Sequence, residues 1–133
     1  PGKTILTHGE LIAAIAIPAS SFGASAFARL ARRRGVDLAS VSVACCLASN
    51  AAARFAFGAA GPTPLLADDA SGIFVDRAAS AAEVDAAVRR VAGVIRPISD
   101  VRAGEAYRRA MALVLCRRAH AAALDRLQRS ARA

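Results

Sequence analysis

The chain has 133 residues, enough to bury one core and too few for a cofactor domain beside a substrate domain. Its 56% hydrophobic share suggests a membrane protein, yet the longest apolar run, Leu11 to Ile17, lies between Glu10 and Pro18, well short of the ~18 residues of a spanning helix. Eighteen basic against ten acidic residues leave a formal charge of +8, which attracts anions such as nucleic acid, phosphate cofactors or an acidic partner without choosing among them.

All of the basic residues except Lys3 are arginine, and alanine is abundant, so the charge reflects a biased composition as much as a binding surface. Cys45, Cys46 and Cys116 are odd in number and form neither a C-x-x-C pair nor a metal-spaced set with histidine. A reducing cytoplasm is the expected location. The run from Leu11 to Ile17, followed by Ala24, Ser25 and Ala26, imitates a secretory signal, but the basic leading region of a signal is missing because Glu10 offsets Lys3. The start at Pro1 predicts a processed or excised piece of something longer.

In chain order, Ile15 and Ile17 alternate with Ala14 and Ala16 and predict extended chain. A turn is expected from Pro18 to Gly23. Beyond it Phe27 and Arg29 share one face of a strand, and Ala28 and Leu30 the other. After Arg32, Arg33, Arg34 and Gly35, the alternation of Val41, Val43, Cys45 and Leu47 with Ser42, Ala44, Cys46 and Ala48 predicts a strand with one face buried. Ser49 and Asn50 supply turn chemistry, and Arg54 to Phe57 returns as the second arm of a hairpin. Gly58 to Pro64 is expected to end the sheet, because Pro62 and Pro64 remove backbone donors. Residues 65–79 read as irregular, with Ile73, Phe74 and Val75 as a local anchor.

Ser80 and Glu83 form a capping box ahead of an amphipathic helix carrying Val84, Val88, Val91 and Ile95. Pro97 separates it from a longer helix expected from near Ala103 to about Gln128. That helix has Tyr107, Met111, Val114 and Leu115 on one side and Leu113, Cys116, His120, Leu124 and Leu127 on another, so its early half is expected to bury two faces. Strands followed by helices give an α+β domain over residues 1–133, a small antiparallel sheet of three to four strands packed against a helical layer.

No catalytic constellation is present. His8 and His120 are far apart and have no nucleophile at a suitable spacing, so both read as surface or core-edge residues. Cys45 and Cys46, adjacent on a strand, point to opposite faces, and Cys116 reads as a small core residue. Phosphate-loop, dinucleotide and nucleophile-elbow motifs are missing. Three charged groups remain. Arg29, Arg32, Arg33, Arg34 and Asp37 follow a strand, where a positive loop can hold a phosphate or an electron-rich ring. Asp100, Arg102, Arg108 and Arg109 surround the start of the long helix, where Asp100 can satisfy open N–H groups and pair with arginine. Arg117, Arg118, Arg126, Arg129 and Arg132 spread along the last helix as in a nucleic-acid-binding helix, without aromatics for stacking.

Three segments, in the right order, resemble the C-terminal domain of the FAD-binding medium subunit of the xanthine dehydrogenase, carbon monoxide dehydrogenase and aldehyde oxidase group of molybdenum hydroxylases. Gly9, Glu10, Leu11, Ile12, Ile15, Ile17 and Pro18 look like the family's segment leaving the FAD domain. Phe27, Arg29, Arg32, Arg33, Asp37, Leu38 and Ala39 resemble F-x-K-x-x-R-R-x-x-x-D-[IL]-A, with arginine for the lysine. Pro97, Asp100, Arg102, Tyr107, Arg108 and Arg109 fit P-x-x-D-x-R-x-x-x-x-Y-R-R, the most specific of the three. Gly61, Pro62, Thr63 and Pro64 match the family's proline loop. The E-x-x-L-x-G pattern that usually follows that loop is missing, as are the Gly-rich pyrophosphate-binding segments of an FAD domain.

The resemblance implies a flavin-covering domain, not catalytic by itself, in a chain that passes electrons from a molybdenum site through iron–sulfur clusters to FAD. It places a backbone contact to the isoalloxazine at Ile12 and a flavin-contacting cation at Arg29, with Arg33, Arg34 and Asp37 in a loop near the flavin's exposed side. Asp100, Arg102 and Tyr107 fall at positions that fix the start of the helix. FAD would be shared with an upstream domain that this chain lacks, while the molybdenum cofactor and 2Fe-2S clusters would sit on partner subunits of a heterotrimeric complex. The alternative is a non-enzymatic basic module that docks a protein or binds nucleic acid.

Overall fold

The computed structural model describes residues 4–16, 22–33, 36–48 and 50–131. Ile17, Pro18, Arg34, Gly35, Ser49 and Arg132 lie outside them. Four strands, β1 (Phe22–Leu30), β2 (Val41–Ala48), β3 (Ala53–Gly58) and β4 (Leu65–Asp69), form one antiparallel sheet in the order β1-β2-β3-β4. Two helices follow, α1 (Ala81–Val91) and α2 (Glu105–Ser130), joined through a 3-10 turn at Ala92–Val94. This is the α+β arrangement expected from the order of the elements.

The alternation in β2 sets the layers. Val41, Val43, Cys45 and Leu47 are fully buried, whereas Ser42, Ala44 and Cys46 on the other face are half-buried. On β1 the inward residues are Ala26, Ala28 and Leu30, and on β3 they are Ala53, Phe55 and Phe57. Helix α2 lies across β1 and β2 on this inner face. Its buried stripe is Arg108, Ala112, Leu115, Cys116, Ala119, His120 and Ala123. The stripe runs between the two sides expected for this helix, and Tyr107 is half exposed. Alanines at the contact let the helix axis approach the sheet closely, a packing that a search for large apolar side chains overlooks. The approach is tight at Gly23, where an added Cβ would lie 2.6 Å from Leu127 Cδ1.

Several expectations fail at the margins. The sheet does not end in the loop before Pro64, since β4 adds a fourth strand where irregular chain was expected. Its inward side chains are Leu65, Ala67 and Asp69, while Leu66 on the outer face is apolar too, so apolar alternation gives no signal there. Asp69 is held by Arg90 of α1 and by the Ser71 hydroxyl. Across the strands, Arg54 grips Asp68 with two hydrogen bonds of 2.6 and 3.1 Å. Burial pushes the Asp69 carboxyl up, but hydrogen bonds from Ser71 and Arg90 outweigh it and leave the group below its ordinary range.

At the amino-terminal end, residues 11–16 form no strand, and β1 already includes Gly23, within the expected turn. Helix α2 begins and ends two residues later than expected.

Other expectations hold. Ser80 and Glu83 make both hydrogen bonds of the capping box. Phe74 is the anchor of the irregular stretch, with its ring 4.8 Å from Phe55 and 5.2 Å from His120. His120 Nε2 donates to the Phe74 carbonyl at 2.8 Å, which accounts for this histidine structurally. Cys45 and Cys116 are core residues, and burial pushes both thiols up to about 12.

Candidate functional site

The turn after β1 is closed by its own sequence. The Ser40 N–H donates to the Leu30 carbonyl at 2.8 Å across the neck of the loop. Within the loop, Asp37 Oδ2 accepts from the backbone N–H groups of Arg32 at 3.0 Å and Arg33 at 3.3 Å. Its other oxygen lies 3.7 Å from the Arg32 guanidinium. Burial of the Asp37 side chain, only 5% exposed, pulls its carboxyl up. The Arg33 amide and the Arg32 charge outweigh that pull and hold the group below its ordinary range. Asp37 therefore faces into the loop and shapes it.

The cations face outward. Arg32 and Arg33 are exposed. Arg29, also exposed, sits on the outer face of β1 and donates from Nη1 to the Asp37 carbonyl at 3.5 Å. The structure thus brings Arg29, Arg32, Arg33 and Asp37 together, whereas Arg34 lies outside the described residues. Ile12 is 67% exposed in segment 4–16, where the hydrogen bonds among the described residues are local ones between Thr4, Leu6, Thr7 and Glu10.

The second cluster is structural. Asp100 Oδ1 accepts from the N–H groups of Arg102 and Ala103, and its carboxylate also takes the guanidinium of Arg102 at 2.8 Å and of Arg108 at 2.6 Å. These bonds, led by that from Arg102, hold its carboxyl far below the usual range. Arg108 is 2% exposed and also donates to the carbonyls of Ala59 and Ala103. Arg109 pairs with Glu105 instead. The first N–H of α2 is capped by the Ser99 hydroxyl at 2.9 Å, so Asp100 orders the turn just before the helix.

The arginines of the last helix are largely committed within the chain. Arg117 grips Asp85 of α1, Arg129 pairs with Asp125, and Arg126 donates to the Ser25 carbonyl. The hydrogen bond from Arg117 holds the Asp85 carboxyl below its ordinary range. This is poor material for a phosphate-binding stripe. Among the described residues, no group of three or more His, Cys, Asp or Glu side chains could hold a metal ion, and no helix is long and apolar enough to cross a membrane.

The sequence reading missed the outer face of the sheet. Register places Phe27, Ala44, Ala56 and Leu66 side by side in one row across all four strands, beside the row that carries Arg29 and Ser42. The signal was present in the second half of each strand's alternation, which reads as solvated when a strand is judged alone.

A family model described as the CO dehydrogenase flavoprotein C-terminal domain matches residues 25–123. Among solved structures, carbon monoxide dehydrogenase from Hydrogenophaga pseudoflava is similar at 28% identity over 77% of this chain, with a TM-score of 0.65. Reconstituted CO dehydrogenase from Oligotropha carboxidovorans is 31% identical over 78% of this chain, with a TM-score of 0.65. Quinoline 2-oxidoreductase from Pseudomonas putida 86 is 26% identical over 82%, with a TM-score of 0.69. The chain spans only 37%, 38% and 39% of these three chains, respectively. No curated protein matches it.

Proposed function

Because the chain belongs to the CO dehydrogenase flavoprotein C-terminal domain family, we propose that it covers the flavin of an FAD-binding oxidoreductase subunit. Electrons would reach that flavin from a molybdenum site through 2Fe-2S clusters held by partner subunits, and residues 1–133 would be one domain beside the FAD-binding domain proper. The observation that carries this reading is the Asp37-stapled loop, which sets Arg29, Arg32 and Arg33 outward at the end of β1.

The residues fit part of the cofactor. Guanidinium groups are planar, permanently charged donors suited to the electron-rich edge of an isoalloxazine. Ile12, which is exposed, would offer the ring a backbone contact. A pyrophosphate calls for a Gly-rich run of backbone N–H groups, which this chain does not contain. The neighbouring domain would therefore hold that end.

When bound, the flavin supplies the redox chemistry; this chain supplies orientation, exclusion of water and electrostatics. Arg29 brings a positive charge that stabilises negative charge on the reduced ring. Asp37 keeps the loop in shape and partly balances Arg32. Replacing Arg29 with alanine in the assembled flavoprotein is expected to lower the flavin's reduction potential, and an unchanged potential would remove Arg29 from the site. The nucleic-acid alternative gains no support, since Arg117, Arg126 and Arg129 are engaged within the chain.

A further inference from the structure

We infer that the outer face of the sheet, an alanine-floored trough between Phe27 and Leu66, is the seat of the flavin-bearing part of the subunit; this rests on the flavoprotein reading above. A sheet with one face on the core normally turns a polar face to water. Here Phe27 pairs with Ala44, Ala44 with Ala56 and Ala56 with Leu66, so one apolar row crosses all four strands. Its ends, Phe27 and Leu66, are 64% and 61% exposed, with small side chains between them. At the usual strand spacing the trough is about 14 Å wide, room for a helix or the flank of another domain.

The rows on either side give the trough its margins. On one side lie Ser25, Cys46, Arg54 and Asp68, where the Arg54–Asp68 pair is neutral overall. On the other lie Arg29, Ser42 and Gly58, and that margin continues into exposed Arg32 and Arg33. The fitting occupant is an apolar ridge with an acidic or anionic border on the arginine side.

Two observations point to the rest of the subunit as that occupant. Most of the length of each similar structure lies outside the part this chain matches. Segment 4–16, which precedes β1 and lies outside the family match at 25–123, is a second exposed apolar surface, with Leu11 and Ile15 largely exposed. A second copy is the poorer occupant, since each copy carries a formal charge of +8.

Cys46 is a built-in reporter. It is half-buried on this outer face, while Cys45 and Cys116 are shut in the core. A neutral maleimide should label Cys46 in the 133-residue chain and be slowed on the order of a hundredfold in the assembled flavoprotein, as expected for a thiol shielded by an interface. Ala56→Arg, which places a charge on the trough floor, should leave the chain's own unfolding transition in place and weaken its association with the flavin-bearing part by about tenfold or more. Equal labelling in both forms, or undiminished association of Ala56→Arg, would overturn the trough as the seat, and continued flavin binding in the same assembly would show that only the face was misassigned. Failure of the wild-type chain to associate at all would instead strike the flavoprotein reading, and the inference with it. Protection of Cys46 that grows with the concentration of the chain alone would assign the trough to a second copy and overturn the proposal.

Discussion

The Arg108 guanidinium gathers three acceptors from two parts of the chain: the Ala59 carbonyl at 3.0 Å, and the Ala103 carbonyl at 3.3 Å and Asp100 carboxylate at 2.6 Å in the turn before α2. Ala59 holds a positive φ of 55°, unusual for a residue with a Cβ, and its carbonyl serves Arg108. Removing the guanidinium takes the Arg108 donor from the Ala59 carbonyl and leaves Asp100, beside a buried helix start, with Arg102 as its one remaining guanidinium partner among the described residues. Arg108→Ala is therefore expected to destabilise the fold by about 3 kcal/mol, read as a lower denaturant midpoint; a loss within the scatter of surface substitutions would contradict this role. The sequence placed Arg108 and Asp100 in one cluster, because a carboxylate beside arginines ahead of a helix has a recognisable chemistry. It gave no sign that Arg108 is buried, since periodicity assigns an arginine to the outside and only the Ala59 and Ala103 carbonyls reverse that.

At the scale of elements, legibility followed the side chains that enter the core. Strand β2 and helix α1 were readable because valines at period two and at period three to four leave one choice of buried face. Strand β4 was not, because ladder bonds, the Arg54–Asp68 pair and the Asp69–Arg90 contact hold it, all of them made across distant segments. The β2–β3 hairpin contains a second strained position. Ala51, with φ of 68°, donates its N–H to the Ala48 carbonyl at 3.2 Å, a left-handed conformation that glycine adopts without penalty. Ala51→Gly is expected to stabilise the domain by roughly 0.5–1 kcal/mol despite the added freedom of the unfolded chain. A lowered thermal midpoint would show that the hairpin does not need that conformation.

Over the whole molecule, the loss of stability in acid follows from the carboxylates. Asp37, Asp69, Asp85 and Asp100 all lie below the ordinary value of 3.8 in the folded chain. Depressed groups contribute stability that is fully present above the unfolded value and lost as pH falls through the folded values. Unfolding free energy should therefore lose none of this contribution between neutrality and about pH 5, and decline steeply only below about pH 4. Denaturant titrations across that range check it, and a rise in stability below pH 4 would contradict the assigned ion pairs.

The candidate site was legible to a similar depth. The arginine loop and its aspartate stood out as a pattern, whereas the inward turn of Asp37 and the apolar trough depend on backbone register that no single strand reveals.

The central claim, that this chain covers a flavin, is tested most directly by flavin retention. The complete flavoprotein that carries residues 1–133 should purify with a visible flavin spectrum at one flavin per subunit and lose that flavin when these residues are deleted. Full flavin occupancy after the deletion, with an unchanged spectrum and unchanged access of solvent quenchers to the ring, would contradict the account.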